Sequence, residues 1–313
     1  MSNENKDSSL SAPSWKDQGY IPVRYLIVLM THFGIFLSYW LRNNINFAII
    51  TMVSRSSNNS TNDSDVAQNP CGFNISEEAE ADYEGEFHWD EWTQGLILGA
   101  FYWGYLWTQL PGGYLTEIIG GRYVFGGTIL MQALVTLLIP LAANIGSVAL
   151  IIARAMLGFF VGALYPSLNG FISCWAPPQE RTMLITICHI GAPLSMLFLN
   201  PFLAFLIKGV GWEAAFYVPA AIAFVWCFIW FIVVSDSPHN HRWITNTEKD
   251  YIVSSMGETK LIKRPPVPWR ALLTSLPFWS LVVTEFGNGW AVFLLLADLP
   301  LYMKDILGED LSE

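Results

Sequence analysis

Two cations stand where a bilayer would make them unfavourable. Arg42, in Tyr39-Trp40-Leu41-Arg42-Asn43-Asn44, lies midway along the apolar stretch 25–53, and Arg154 lies within a second, 147–175. A guanidinium at the centre of a membrane-spanning helix costs about 2.5–3.5 kcal/mol, so each must face a cavity or a partner, or snorkel to a helix end. Arg stays charged and grips a carboxylate or phosphate with two donors. Two such groups at comparable depth call for an internal carboxylate or an anionic ligand. The residues able to carry a proton beside them are few. Glu285 and Asp298 fall in the stretch 277–303, and His189 falls in 182–207. A desolvated carboxylate or an imidazole can exchange protons near neutral pH. Asp298, next to Leu299-Pro300, reads as interfacial, whereas Glu285 lies deeper. A lone His on an otherwise apolar helix is more often a hydrogen-bonded core residue than a titrating one.

The elements that must hold these residues follow from composition. Hydrophobic residues make up 53% of the 313, and charged residues 13%. Soluble chains carry about 25% charged residues, so most of this exterior faces lipid. Stretches of roughly 20 apolar residues, the length of a spanning helix, occur at 92–115, 123–143, 182–207 and 214–234 without charge. With 25–53, 147–175 and 277–303 they predict seven spans in an all-α, polytopic membrane protein. The polar segment 1–24 precedes a span too long for a signal-peptide core, so no cleaved signal is expected. A net charge of -10 leaves no basic face for nucleic acid. Walker, HExxH, GxSxG and paired CxxC patterns are missing from the sequence, so neither ATP-driven nor hydrolytic chemistry has residues to rest on. No cofactor or metal is expected.

Orientation follows from Lys and Arg. A cytoplasmic N-terminus puts eleven basic residues on that side and three on the other, with Arg42 and Arg154 inside. The sequons agree. Asn58, Asn59, Asn62 and Asn74 each begin an N-x-[ST] triplet within the loop 54–91, which must then be lumenal or extracellular. Ten acidic residues and Arg55 give that loop a charge of -9. The acidity of the chain is therefore a solvated loop and not a statement about substrate sign. A seven-helix receptor, with its N-terminus and sequons outside, fits neither pattern.

Gly113-Tyr114-Leu115-Thr116-Glu117-Ile118-Ile119-Gly120-Gly121-Arg122 resembles the G-x-L-x-D-R-x-G-R-K loop of the major facilitator superfamily, with Glu117 for Asp and with Ile118 and Gly121 at basic positions. Trp103-Gly104-Tyr105, the run from Thr108 to Tyr114, Tyr165-Pro166 and Trp175-Ala176-Pro177-Pro178-Gln179-Glu180-Arg181 narrow the resemblance. Together they are similar to its anion–cation symporter family of sialin-like, vesicular glutamate and sodium–phosphate cotransporter-like carriers.

The resemblance implies a secondary transporter of small anions, driven by a sodium or proton gradient, in the plasma membrane or a lysosomal or vesicular membrane. It implies that Arg42 and Arg154 hold the substrate, that Tyr39 and Tyr105 line the cavity, and that Gly113, Glu117, Gly120 and Arg122 form the conformational loop. Glu285 and His189 are then coupling candidates, because Val161 stands where the family carries a coupling glutamate. Leu98 and Asn288 replace the histidine and arginine of the glutamate carriers, which argues against glutamate. Phosphate and organic anions such as sialic acid remain.

The fold so implied has two six-helix halves. Residues 1–24 form the N-terminal tail, 25–234 the first half, 235–275 the linker, and 276–313 the seventh helix with a truncated end. A chain so truncated is expected not to transport alone, and a non-transporting or regulatory isoform is the alternative reading.

Overall fold

The computed structural model describes residues 22–53, 85–256 and 268–305. Helix α1 covers Val23–Met52, α2 Glu91–Ile119, α3 Gly121–Ile145, α4 Ser147–Val161, α5 Leu164–Trp175, α6 Arg181–Val210 and α7 Ala214–Val233. A 3-10 turn, Pro238–Asn240, leads to α8, Asn246–Met256, and beyond it lie α9, Trp269–Leu273, and α10, Leu276–Asp305. The described residues belong to two compact units, α1–α8 in one and α9 with α10 in the other.

Five segments are long and apolar enough to cross a bilayer: Val23–Ile49, Gly121–Ile145, Ser147–Trp175, Arg181–Leu199 and Ala214–Val233. Helix α2 has the length, at 29 residues, but its tryptophans, tyrosines, glycines and glutamines keep it below that apolarity. Helix α10 has 30 residues and carries Glu285 and Asp298. The stretch 147–175 forms one span, as its apolarity predicts, with a turn at Gly162-Ala163 between α4 and α5 where the backbone stays in the right-handed helical region. Tyr165 lies two residues beyond it.

Within the first unit α3 is central, touching α1, α2, α4, α5 and α7, while the longest interfaces join α2 to α4 and α1 to α6. Lipid tails are as apolar as leucine, so helices in a bilayer associate by close packing rather than by hydrophobic burial. Small residues make that possible between α2 and α4. A Cβ on Gly158 would stand 1.9 Å from the carbonyl oxygen of Phe101, and one on Gly104 would stand 2.0 Å from that of Ala155.

The two ends of α1 are tied differently. At its start Glu248 of α8, fully buried, accepts from the backbone N–H groups of Val23 at 3.0 Å and Arg24 at 3.1 Å. These are first-turn donors that the helix itself leaves unpaired. Arg24 pairs in turn with Glu180 at 3.1 Å and Glu248 at 3.7 Å. At the far end Phe87 N–H donates to the Met52 carbonyl at 2.9 Å, and Trp212 Nε1 donates to Glu86 at 3.2 Å.

Candidate functional site

The approach of α2 to α4 at Gly158 decides the geometry around the two arginines. Phe101, whose carbonyl faces Gly158, is buried, and its ring reaches both guanidinium groups. The guanidinium carbon of Arg42 is 4.4 Å from the Phe101 centroid and that of Arg154 is 5.5 Å from it. Arg154, 3% exposed, donates from Nη1 to the main-chain carbonyl of Arg42 at 3.1 Å, and its Nε has no partner. Arg42 donates from Nη2 to the Tyr102 hydroxyl at 3.3 Å. The rings of Tyr39, Tyr102 and Tyr105 lie 5.5, 5.5 and 5.9 Å from its guanidinium carbon. Arg42 thus sits in an aromatic cage, a favourable but weak partner for a cation.

What is missing is a counter-ion. Among the described residues the ion pairs are those of Arg24 with Glu180 and Glu248; Arg42 and Arg154 have none. Two cations held close together without a carboxylate, one of them buried, leave positive charge uncompensated by the described residues, which is costly in a low-dielectric interior.

A tyrosine pair extends the site. The hydroxyls of Tyr39 and Tyr165 are 2.7 Å apart, and the Tyr165 ring stacks on His189 with centroids at 5.3 Å and planes at 15°. The structure therefore brings Arg42, Arg154, Tyr39, Tyr105 and His189 into one neighbourhood. Glu285 lies on α10 in the second unit, with its side chain exposed. The sequons Asn58, Asn59, Asn62 and Asn74 lie outside the described residues. Val161 is buried apolar core at the end of α4.

The junction of α2 and α3, around Gly120 and Arg122, is anchored to the end of α7 and the residues just beyond it. Gly120 closes α2 at φ +107°, a left-handed conformation that glycine adopts without strain, and a Cβ there would meet the Asp236 carboxylate at 2.7 Å. Asp236 accepts from the Arg122 N–H at 2.8 Å, the Arg122 guanidinium donates to the Phe231 carbonyl, and Trp230 Nε1 donates to the Arg122 carbonyl at 3.0 Å. Glu117 is exposed, and a Cβ on Gly113 would have an ordinary contact with Pro166 at 3.7 Å.

Sequence reasoning did not single out Phe101, Tyr102 or Tyr165 as site residues. Their signal was the aromatic spacing 101, 102 and 105 on one helix, and the Tyr-Pro step after Gly162. Glu248 and Asp236 were missed also, because capping partners 225 and 114 residues away in sequence leave no local pattern.

The family model described as Major Facilitator Superfamily matches residues 31–313. The chain belongs to the Major Facilitator Superfamily. As such it is a multi-pass membrane protein. Sialin of Homo sapiens is 37% identical over 291 residues, which are 93% of this chain and 58% of sialin. Vesicular glutamate transporter 2 of Mus musculus is 35% identical over 297 residues, 94% of this chain and 48% of that protein. The chain thus spans about half to three-fifths of the length of these relatives. A solved bacterial homologue of the human lysosomal transporter Spinster, inward-facing and unoccupied, aligns with a TM-score of 0.57 at 16% identity, over 94% of this chain and 58% of its own. That likeness shows the fold.

Proposed function

We propose that this superfamily member belongs to a secondary active transporter of small anions, inorganic phosphate or organic anions such as sialic acid, and not to an enzyme. Coupling is to a sodium or proton gradient. The membrane is the plasma membrane or a lysosomal or vesicular one, with the N-terminus in the cytoplasm. The observation that carries the reading is the pair of guanidinium groups at Phe101, fixed by protein contacts yet without a carboxylate partner among the described residues. Bidentate donors on such a pair fit a carboxylate or phosphate. The named glutamate transporter among the relatives does not extend to this chain, because Leu98 and Asn288 stand in place of the basic residues expected of glutamate carriers.

The test is uptake of labelled phosphate and N-acetylneuraminate into vesicles bearing this chain completed by a second six-helix half, with sodium or proton gradients imposed. Gradient-driven uptake of either anion, abolished by Arg154→Ala, is expected. Uptake or binding untouched by that change would make Arg154 structural and remove the basis of the reading.

A further inference from the structure

His189 Nδ1 lies 2.8 Å from the carbonyl oxygen of Ile185, one turn earlier on α6. A carbonyl oxygen only accepts, so Nδ1 carries the hydrogen and the lone pair of the neutral ring sits on Nε2. The imidazole lies nearly parallel to the Tyr165 ring, at 5.3 Å between centroids. Tyr165 joins Tyr39 through hydroxyls 2.7 Å apart, and the Tyr39 ring lies 5.5 Å from the Arg42 guanidinium carbon. One file of side chains therefore runs from a titratable ring on α6, across α5 and α1, to the unpaired arginines.

We propose that His189 is the proton-binding site of this protein, with Tyr165 and Tyr39 as the positioning residues that join it to Arg42. The proposal rests on the anion-transport reading above and specifies its coupling ion. A proton from water adds to the Nε2 lone pair, one N–H bond forms, and the ring becomes a cation. No bond breaks and nothing is oxidised. The new charge faces the Tyr165 ring, whose π-electrons favour a cation. It adds a positive charge at the far end of the side-chain file that leads through Tyr165 and Tyr39 to Arg42, so the protonated form holds an anion more tightly. By reciprocity the bound anion holds the proton more tightly by the same factor. Proton and anion then occupy and leave the site together.

The surroundings leave this role to His189. Helices α1, α5 and α7 pack on α6. They contribute His32, Tyr39 and Arg42 from α1, Tyr165 from α5, and Tyr217 and Cys227 from α7, and α6 adds Cys188. The other charged or titratable groups of these helices, Arg24, Tyr25, Cys174, Arg181 and Lys208, stand at or near their ends. No carboxylate lies on any of the four helices. Histidine alone among these residue types changes charge near neutral pH when unperturbed. The ring of His32 meets Phe33 and its Nδ1 meets the Ile187 carbonyl at 2.8 Å, with no tyrosine link to the arginines.

The experiment uses the protein in lipid nanodiscs with labelled N-acetylneuraminate, a carboxylate that stays ionised from about pH 5.5 to about 8. Affinity is expected to fall about tenfold as pH rises across that range, the change in charge of one histidine. His189→Gln is expected to bind at the weaker, high-pH level throughout. Tyr165→Phe, which keeps the stacked ring and loses the hydroxyl link, is expected to narrow the pH dependence. A wild-type pH profile in His189→Gln, or a flat profile in the parent with binding intact, overturns this proposal alone. Absence of binding at every pH overturns the transport reading and this proposal with it. The 15N signals of the His189 ring provide a readout without any anion. Conversion of the Nδ1–H form to the doubly protonated ring on acidification is expected, and a ring that stays neutral throughout overturns the proposal.

Discussion

Arg154 donates from Nη1 to the main-chain carbonyl of Arg42, 3.1 Å away. The bond joins α4 to α1 at the level of the arginine pair. It fixes one cation by the backbone of the other, while the Arg154 Nε remains without a partner. A buried charge held this way keeps one donor free at a cost to the stability of the protein.

Arg154→Met therefore separates binding from folding. Replacing a buried ion by an apolar side chain of similar volume is often neutral or stabilising by about 1–4 kcal/mol. The thermal midpoint of the variant is expected to match or exceed that of the parent while anion binding is lost. A large fall in the midpoint would show that Arg154 serves the fold.

Gly158→Ala puts a Cβ 1.9 Å from the Phe101 carbonyl oxygen, which is backbone and cannot swing aside. Overpacking of this kind costs about 1–3 kcal/mol. The displaced Phe101 should also weaken anion binding. Gly99→Ala on α2, where a Cβ would meet nothing within 4 Å, is the control. It is expected to leave binding intact and to stabilise by about 0.4–1 kcal/mol.

Glu248→Ala removes the carboxylate that accepts from the first two N–H groups of α1 and pairs with buried Arg24. Breaking a buried pair by deleting one partner costs about 3–5 kcal/mol. Amide exchange at residues 23 and 24 should accelerate, with partial recovery in Glu248→Gln, whose amide oxygen still accepts. Unchanged exchange would mean that α8 does not hold α1.

His241 accepts from the Trp243 N–H at Nδ1 and donates from Nε2 to the Val233 carbonyl, an arrangement of the neutral ring. Burial lowers its pKa below the ordinary 6.5, against the opposing pull of the Val233 carbonyl and Glu248. The unfolded chain therefore takes up the proton first as pH falls. The stability His241 contributes is complete above the unfolded value of about 6.5 and is lost as pH drops from there towards the lower folded value. Melting from about pH 7.5 to about 5.5 should show a loss that is smaller in His241→Gln. Equal losses in both proteins would assign the effect to other groups.

Much of the fold is legible from apolar run length, because a bilayer demands it. Five spans follow directly. Run length gave no warning of the turn at Gly162-Ala163, since Pro166, which has no N–H to donate four residues back to Gly162, does not alter the apolarity of the stretch. Arg42 and Arg154 are conspicuous because charge in an apolar run has no cheap explanation. Phe101 and Tyr165 are not, because an aromatic residue in a spanning helix is ordinary until a second helix brings a guanidinium or an imidazole to its face. Glu248 and Asp236 depend on chain segments far apart in sequence, so only the assembled bundle reveals them.

An arginine pair that holds an anion must show it in equilibrium binding. The protein in nanodiscs is titrated with labelled phosphate and N-acetylneuraminate beside Arg42→Ala and Arg154→Ala. Each arginine supplies charge-assisted hydrogen bonds worth about 1.5–3 kcal/mol, so saturable binding of at least one anion should weaken about tenfold or more in either variant. Saturable binding of equal affinity in all three proteins would contradict the account.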